Sequence, residues 1–320
     1  MATGTGIDGQ IGFVAESGYG TAATVTRFLP FISESLKKDV ARIESKGQFT
    51  GGQVLRSVQW SPGIVNVGGD VQTELYTQSM GLLFRAAFGT VNTSGTAAPY
   101  THQFFPANPG VSFTTQVGRP LVYGTVQPFT YQGCKIMKWE LDAKTGENLS
   151  WKMSLVAQEE LMGTALASAS YAANLTPWTF ASCSLTIAGQ TIPVQEFSLA
   201  GDNALASERR FLGSGTISEP LRQELAEYTG KISTEWGNPS GQGTLNYQRF
   251  VGGTEAALVF SMTSGTLSGT VTANVRYDGS TPNLAGRGVM QHDIPFKCIA
   301  SGTLDSTAIQ IQLQNNDSTA

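Results

Sequence analysis

The sequence predicts a mainly β protein made of two tandem β-sandwich or barrel units, each with a short flanking helix. Three observations carry this. Apolar residues recur at every second position in several segments, the period of a strand with one buried face. Glycine (37 residues) and proline (13) are frequent in a chain of 320, and they punctuate these segments where turns are needed. The same order of elements also runs twice along the chain.

The first unit, residues 1–162, opens with a strand at Gly12-Phe13-Val14-Ala15-Glu16. Phe31-Ile32-Ser33-Glu34-Ser35-Leu36 then enters a polar stretch that runs to about residue 62. Residues 63–74 read as a strand interrupted by Gly68 and Gly69. A helical pattern covers 75–87, with Leu75, Leu82, Leu83 and Ala86 on one apolar stripe, and Gly89 supplies the C-terminal cap. A closing hairpin pairs 135–141 with 149–156 through a loop holding Gly146. Leu149, Trp151, Met153 and Leu155 share its buried face.

Residues 163–177 are rich in Ala and Ser and end in Pro177, which is linker composition. The second unit, 178–320, repeats the order. A strand at 183–189 opens it, and Phe197-Ser198-Leu199-Ala200-Gly201-Asp202 enters a polar stretch to about 228. A strand at 229–236 and a short helix at 245–251, stopped by Gly252-Gly253, come next. A strand, Gly-containing loop and strand over 294–314 close it as a second hairpin, with Ile309, Ile311 and Leu313 on one face. Identity between the halves is low, so the order of elements is what supports a duplication; a single elaborated unit is the alternative.

Composition and motifs exclude several functions. Lys+Arg is 20 and Asp+Glu is 24, a net charge of −4, which argues against a protein held on duplex DNA by phosphate contacts. No run of about 18 apolar residues predicts a membrane helix. No basic-then-apolar start predicts a secretory signal. Cys134, Cys183 and Cys298 are odd in number and widely spaced, so they read as reduced, buried thiols. With two histidines and no CxxC or HxxxH spacing, no metal or cofactor is expected. GxSxG, GxxxxGK[ST] and HExxH are absent.

The remaining chemical groups have structural readings. His292-Asp293 lies near Cys298, but Cys298 sits in an alternating strand as a core thiol. His292 precedes that strand as a surface or interface side chain. Glu159-Glu160 reads as a solvated strand end. Trp60, Trp139, Trp151, Trp178 and Trp236 are too dispersed for a base-stacking platform and read as packing residues. No enzyme is expected.

Only 14 % of residues are charged, against roughly 25 % in an average domain, and charge depletion marks surfaces buried against other chains. Many of the charges present gather in the two polar stretches. Lys37, Lys38, Arg42, Glu44, Lys46 and Arg56 lie in the first, among Val40, Ile43, Phe49, Val54 and Leu55. Glu208, Arg209, Arg210, Phe211 and Leu212 lie in the second, with Leu205 and Ile217. Long loops without regular structure are uncommon unless they work or are disordered, and the scattered apolar residues argue against disorder. Arms that dock on a neighbouring subunit are the expectation; loops folded back on their own domain are the alternative.

The order of segments resembles the tail tube (major tail) proteins of long-tailed bacteriophages. The likeness rests on Gly18-Tyr19-Gly20-Thr21, on Ser33-Glu34-Ser35-Leu36 opening a long loop, and on the run from Gly68 to Leu75 leading into Met80-Gly81-Leu82-Leu83-Phe84 and Phe88-Gly89-Thr90. Tyr100-Thr101-His102-Gln103-Phe104 and Ser112-Phe113-Thr114-Thr115-Gln116 follow. The resemblance covers most of the chain and holds no chemical fingerprint.

It implies sandwich or barrel units in six-fold rings with continuous inner sheets, stacked into a hollow tube. Members with two fused domains form trimers that imitate hexamers, as two units here would; one elaborated unit would give a hexamer. The implied partners are further copies of the chain, the tape-measure protein in the lumen, and the tail terminator and tail tip proteins. DNA crosses the lumen without sequence-specific binding. The implied location is the virion tail, assembled in the host cytoplasm. A neutral or acidic lumen wall repels phosphate. Asp70, Glu74 and Glu235 are the candidate lumen carboxylates, and the sequence does not orient them or Glu140, Glu147 and Asp293. The alternative from another class is a receptor- or carbohydrate-binding β-sandwich module of a fibre or adhesin; a hydrolase on a β-scaffold is a third.

Overall fold

In the computed structural model, residues 4–237, 242–279, 281, 284 and 286–320 are described. The period of two becomes antiparallel strands throughout. The first half holds β1 (Gln10–Ala15), β2 (Arg27–Phe28), β3 (Ser33–Glu34), β4 (Lys37–Glu44), β5 (Trp60–Glu74), helix α1 (Gly81–Phe88), β6 (Gly89–Ser94), β7 (Tyr100–Pro106), β8 (Phe113–Pro120), β9 (Val126–Lys144), β10 (Ser150–Ala157) and β11 (Glu159–Leu161). The second holds β12 (Cys183–Ile187), β13 (Gln190–Ile192), β14 (Glu196–Asp202), β15 (Glu227–Glu235), helix α2 (Gln242–Gly252), β16 (Ala256–Ser264), β17 (Leu267–Tyr277), β18 (Gln291–Cys298) and β19 (Ile309–Asn315).

Both halves contribute to two sheets. The first runs β4–β5–β10–β9–β14–β15–β18. The second runs β6–β7–β19–β17–β16–β12–β13. The halves therefore join twice, at β9–β14 and at β7–β19. A smaller sheet, β2–β1–β8–β9–β11, branches from β9. Strand β9 serves two sheets because it bends at Gly133, whose φ of 65° suits glycine.

The core lies between these layers. Trp139 and Trp151 stack at 4.9 Å on the inner face of the first sheet, and Phe84 of α1 meets Trp151 edge-on at 4.8 Å. Every residue of α1 except Arg85 is buried, so this helix is a core element, and Gly89 closes it at φ 102°. In the second half Phe197 of β14 stacks on Phe260 of β16 at 4.4 Å, which brings the two sheets face to face as a sandwich. Each fully buried large aliphatic or Phe side chain contributes roughly 1.5–3 kcal/mol. Gly201 leaves space for the Trp139 indole, which a Cβ there would overlap.

The 135–156 hairpin forms as expected, with Met153 opposite Trp139 and Leu149, Trp151, Met153 and Leu155 all buried. Other expectations are corrected. Helix α1 starts at Gly81 rather than 75, because Leu75 and Thr77 donate to the carbonyls of Leu149 and Thr176, and Ser79 takes a φ of 66°. Helix α2 runs longer than 245–251. The C-terminal strands do not form a hairpin; β18 and β19 share one edge of β17 in succession.

The 37–62 stretch is no irregular loop: β4 and β5 form a long hairpin whose turn spans 45–59. Residues 163–177 are tied down on the first half, with Gln10 and Gln116 donating to the carbonyls of Ala167 and Ala165, and Gln78 to that of Ala173. Cys134 and Cys298 are buried as read, but Cys183 is only half-buried. His292 is not at the surface. Strand β18 starts one residue before it, which turns its ring inward against Trp236 at 4.8 Å.

Candidate assembly surfaces

Side chains alternate along each strand and the registers of the first sheet align, so outward residues form rows across it. One row is Gln72, Lys152, Glu140, Ala200, Thr229 and Lys297; the next is Glu74, Ser150, Asp142, Ser198, Lys231 and Pro295. On one side lie Asp70, Ser154, Lys138, Asp202 and Glu227, and on the other Lys144, Glu196, Ser233 and Asp293, then Glu235 and Gln291. The three expected carboxylates, Asp70, Glu74 and Glu235, thus share one solvent face with Glu140 and Asp293, while Glu147 sits in the turn before β10.

From β5 to β18 this face holds nine carboxylates (Asp70, Glu74, Glu140, Asp142, Glu196, Asp202, Glu227, Glu235 and Asp293) and five lysines (Lys138, Lys144, Lys152, Lys231 and Lys297). Its net charge of −4 equals that of the whole chain, because the other 15 acidic and 15 basic residues cancel. A hollow of about 390 Å³ opens on it between Lys138, Glu140, Lys152, Asp202 and Thr229.

Four lysines pair across strands: Lys138 with Asp202 at 2.9 Å, Lys231 with Asp293 at 3.1 Å, Lys152 with Asp70 at 3.3 Å, and Lys297 with Glu227. Such exposed pairs contribute up to about 1 kcal/mol each and mainly neutralise charge locally. Asp202 raises the Lys138 ammonium above its ordinary pKa. The Ser233 hydroxyl, which donates to Asp293, and Lys231 hold that carboxyl low. Glu74 accepts from Tyr76 and Asn148, and Glu235 from Gln195 at 3.4 Å. Asp142 behaves otherwise: burial, with Glu140 and Glu196 nearby, pushes its carboxyl up to about 6. The lysines and the other carboxylates of this face are legible from their alternation, at 138, 140, 142 and 144 and at 227, 231 and 235, but only cross-strand register shows that they share a face.

Among the described residues this sheet ends in an unpaired edge at β4 and a partly paired one at β18. No strand pairs with the outer side of β4, and β18 meets β17 only through Phe296, Lys297 and Cys298. A row of unmet N–H and C=O groups is a template for another strand.

The first arm is an exposed hairpin. Val54 and Val58 are each 81 % exposed, and Ile43, Phe49, Leu55, Trp60 and Ile64 lie open around them. Lys37, Glu44 and Lys46 are exposed, Lys38 pairs with Glu159, Arg42 stacks over Trp60 and Arg56 over Phe49. Its base is fixed by a fork from Arg119 to Glu34, both bonds 2.9 Å.

The second stretch folds back on its own chain. Arg209 donates to the Glu219 carbonyl and Arg210 to Glu208, Val65 and Asn66, while Leu205 and Ile217 are buried. Phe211 and Leu212 remain exposed at its tip.

Burial pushes the thiols of Cys134, Cys183 and Cys298 up to about 12, 11 and 12, which keeps them protonated. Among the described residues no group of three or more His, Cys, Asp or Glu side chains is placed to hold a metal, and no helix is long and apolar enough to cross a membrane. No curated protein matches the chain significantly. One family model, described as phage tail tube protein, matches residues 6–298.

Proposed function

The chain belongs to the phage tail tube protein family, and from this we propose that it is the subunit that closes into rings and stacks into the hollow tube through which DNA leaves the virion. A structural role in the phage tail follows from the family itself. The first sheet supports the finer reading: it draws four strands from the first half and three from the second, ends in an open edge at β4 and a partly open one at β18, and carries the chain's net charge on one face.

In a ring, the β18 edge of one copy meets β3 and β4 of the next, repeating between copies the β9–β14 joint already present within the chain. Closure satisfies both edges, and the acidic face becomes the lumen wall, which repels phosphate and holds no DNA. With two units, 1–162 and 178–320, joined by 163–177, three copies make a pseudo-hexameric ring; one elaborated unit would need six. The exposed hairpin, including Lys37, Arg42, Glu44, Lys46 and Arg56, reaches the adjacent ring. Phe211 and Leu212 are the contact points of the second arm. The tape-measure protein occupies the lumen before ejection, terminator and tip proteins close the ends, assembly takes place in the host cytoplasm, and the role involves no catalysis.

Electron microscopy of the purified protein tests this. Stacked rings of uniform diameter are expected. A monodisperse monomer at high concentration would contradict it.

A further inference from the structure

We propose that residues 203–226 form a buttress that aims the hairpin arm, with Arg210 as its positioning residue; this rests on the arm reading above. The hairpin projects beyond the sheet. Strand β10 pairs with β5 only from Val67 onward, so the β10-facing edge of β5 from residue 60 to 66 has lost its neighbour. Val65 lies opposite Val40 of β4, and its N–H and C=O have partners outside the sheet. Both are taken by the second stretch. The Val65 N–H donates to the Gly215 carbonyl at 2.9 Å, and Arg210 donates to the Val65 carbonyl at 3.1 Å. Through the same nitrogen Arg210 reaches the Asn66 side-chain oxygen at 2.6 Å, and its other terminal nitrogen reaches Glu208 at 2.9 Å. Its own side chain is only 12 % exposed, and the bond to the Val65 carbonyl is partly buried, while Glu208 stands open to solvent.

The buttress is itself anchored. Lys135, on β9, is fully buried and donates to Glu219 at 2.7 Å and to the carbonyls of Pro109 and Pro220. Arg209 adds a bond to the Glu219 carbonyl at 2.9 Å. A rigid line therefore runs from the sheet through Lys135 and Glu219 to Arg210 and the hairpin edge. A two-stranded ribbon is marginal alone in water. Covering one edge with a tied-down loop gives it a single direction and guards that edge from wrong pairing. The geometry assigns the second stretch, read as an independent arm, to the service of the first.

The test uses Arg210→Ala, Arg210→Lys and Asn66→Ala in the full chain. Hydrogen exchange of unassembled protein reads residues 60–66 against the rest of the sheet, and the critical concentration for stacking reads the consequence. Arg210→Ala should speed exchange across 60–66 by about tenfold, the loss of one charge-assisted bond, while β9, β14 and β15 keep their protection. The critical concentration should rise by about the same factor. Arg210→Lys should recover part of both effects, and Asn66→Ala should show a smaller one. Unchanged exchange at 60–66, or an equal rise throughout the sheet, would overturn the proposal. If wild-type protein forms no tubes, the arm reading fails, and the exchange experiment still decides the coupling.

Discussion

Trp151 is fully buried, stacked on Trp139 and met edge-on by Phe84. Trp151→Ala should cost about 3–5 kcal/mol in denaturant unfolding; a change within about 0.5 kcal/mol would mean the site is not core. Its burial was legible because alternation through 149–155 needs no knowledge of partners. His292 differs for a related reason. The apolar alternation shows from Ile294 onward, and the strand begins earlier, at Gln291, so the same parity two positions back carries His292 inside. Alternation places Asp142 on the outer face, but its raised carboxyl is not legible, since the groups around it come from β14 and from its own strand together. Its carboxyl is raised to about 6. A carboxyl raised in the folded state contributes stability in acid that is lost as pH climbs through about 6. Asp142→Asn should therefore stabilise the subunit by about 1 kcal/mol at pH 8, after allowance for solvent screening, and change little near pH 4. Melting temperatures of both proteins across pH check this; parallel curves would contradict it.

At the scale of elements, those with one buried face were visible and those without were hidden. The 135–156 hairpin and the opening strands show a clean period of two. Strand β4 is exposed along almost its whole length, so no apolar period marks it, and the stretch reads as loop. Residues 75–80 have a helical pattern, but their backbone groups bond to 149 and 176–178, and tertiary pairing overrides the local preference. Deleting residues 42–58 removes the exposed end of the hairpin and none of the core. The shortened protein should keep its circular dichroism and melting temperature yet fail to stack. Tubes of normal length from it would show that the hairpin makes no contact between rings.

Across the whole molecule, the β class and the order of elements were legible, and the joints between halves were not. β9 finds β14 and β7 finds β19 over long separations, with no local signal for either pairing. Those joints also turn a weak overall charge into a surface: −4 spread over 320 residues says little, whereas −4 on one face of one sheet makes that face acidic. Replacing Asp70, Glu74 and Glu235 together by Lys changes that face by +6 per copy. Tubes should still form and should now retain DNA with a steep salt dependence. Tubes that ignore DNA as before would place this face away from the lumen. The most direct test of the central claim, that the first sheet closes through identical copies, is the rotational symmetry of a single ring by electron microscopy. Three-fold symmetry with pseudo-six-fold density is the expected result, and protein that shows no ring under any assembly condition would contradict it.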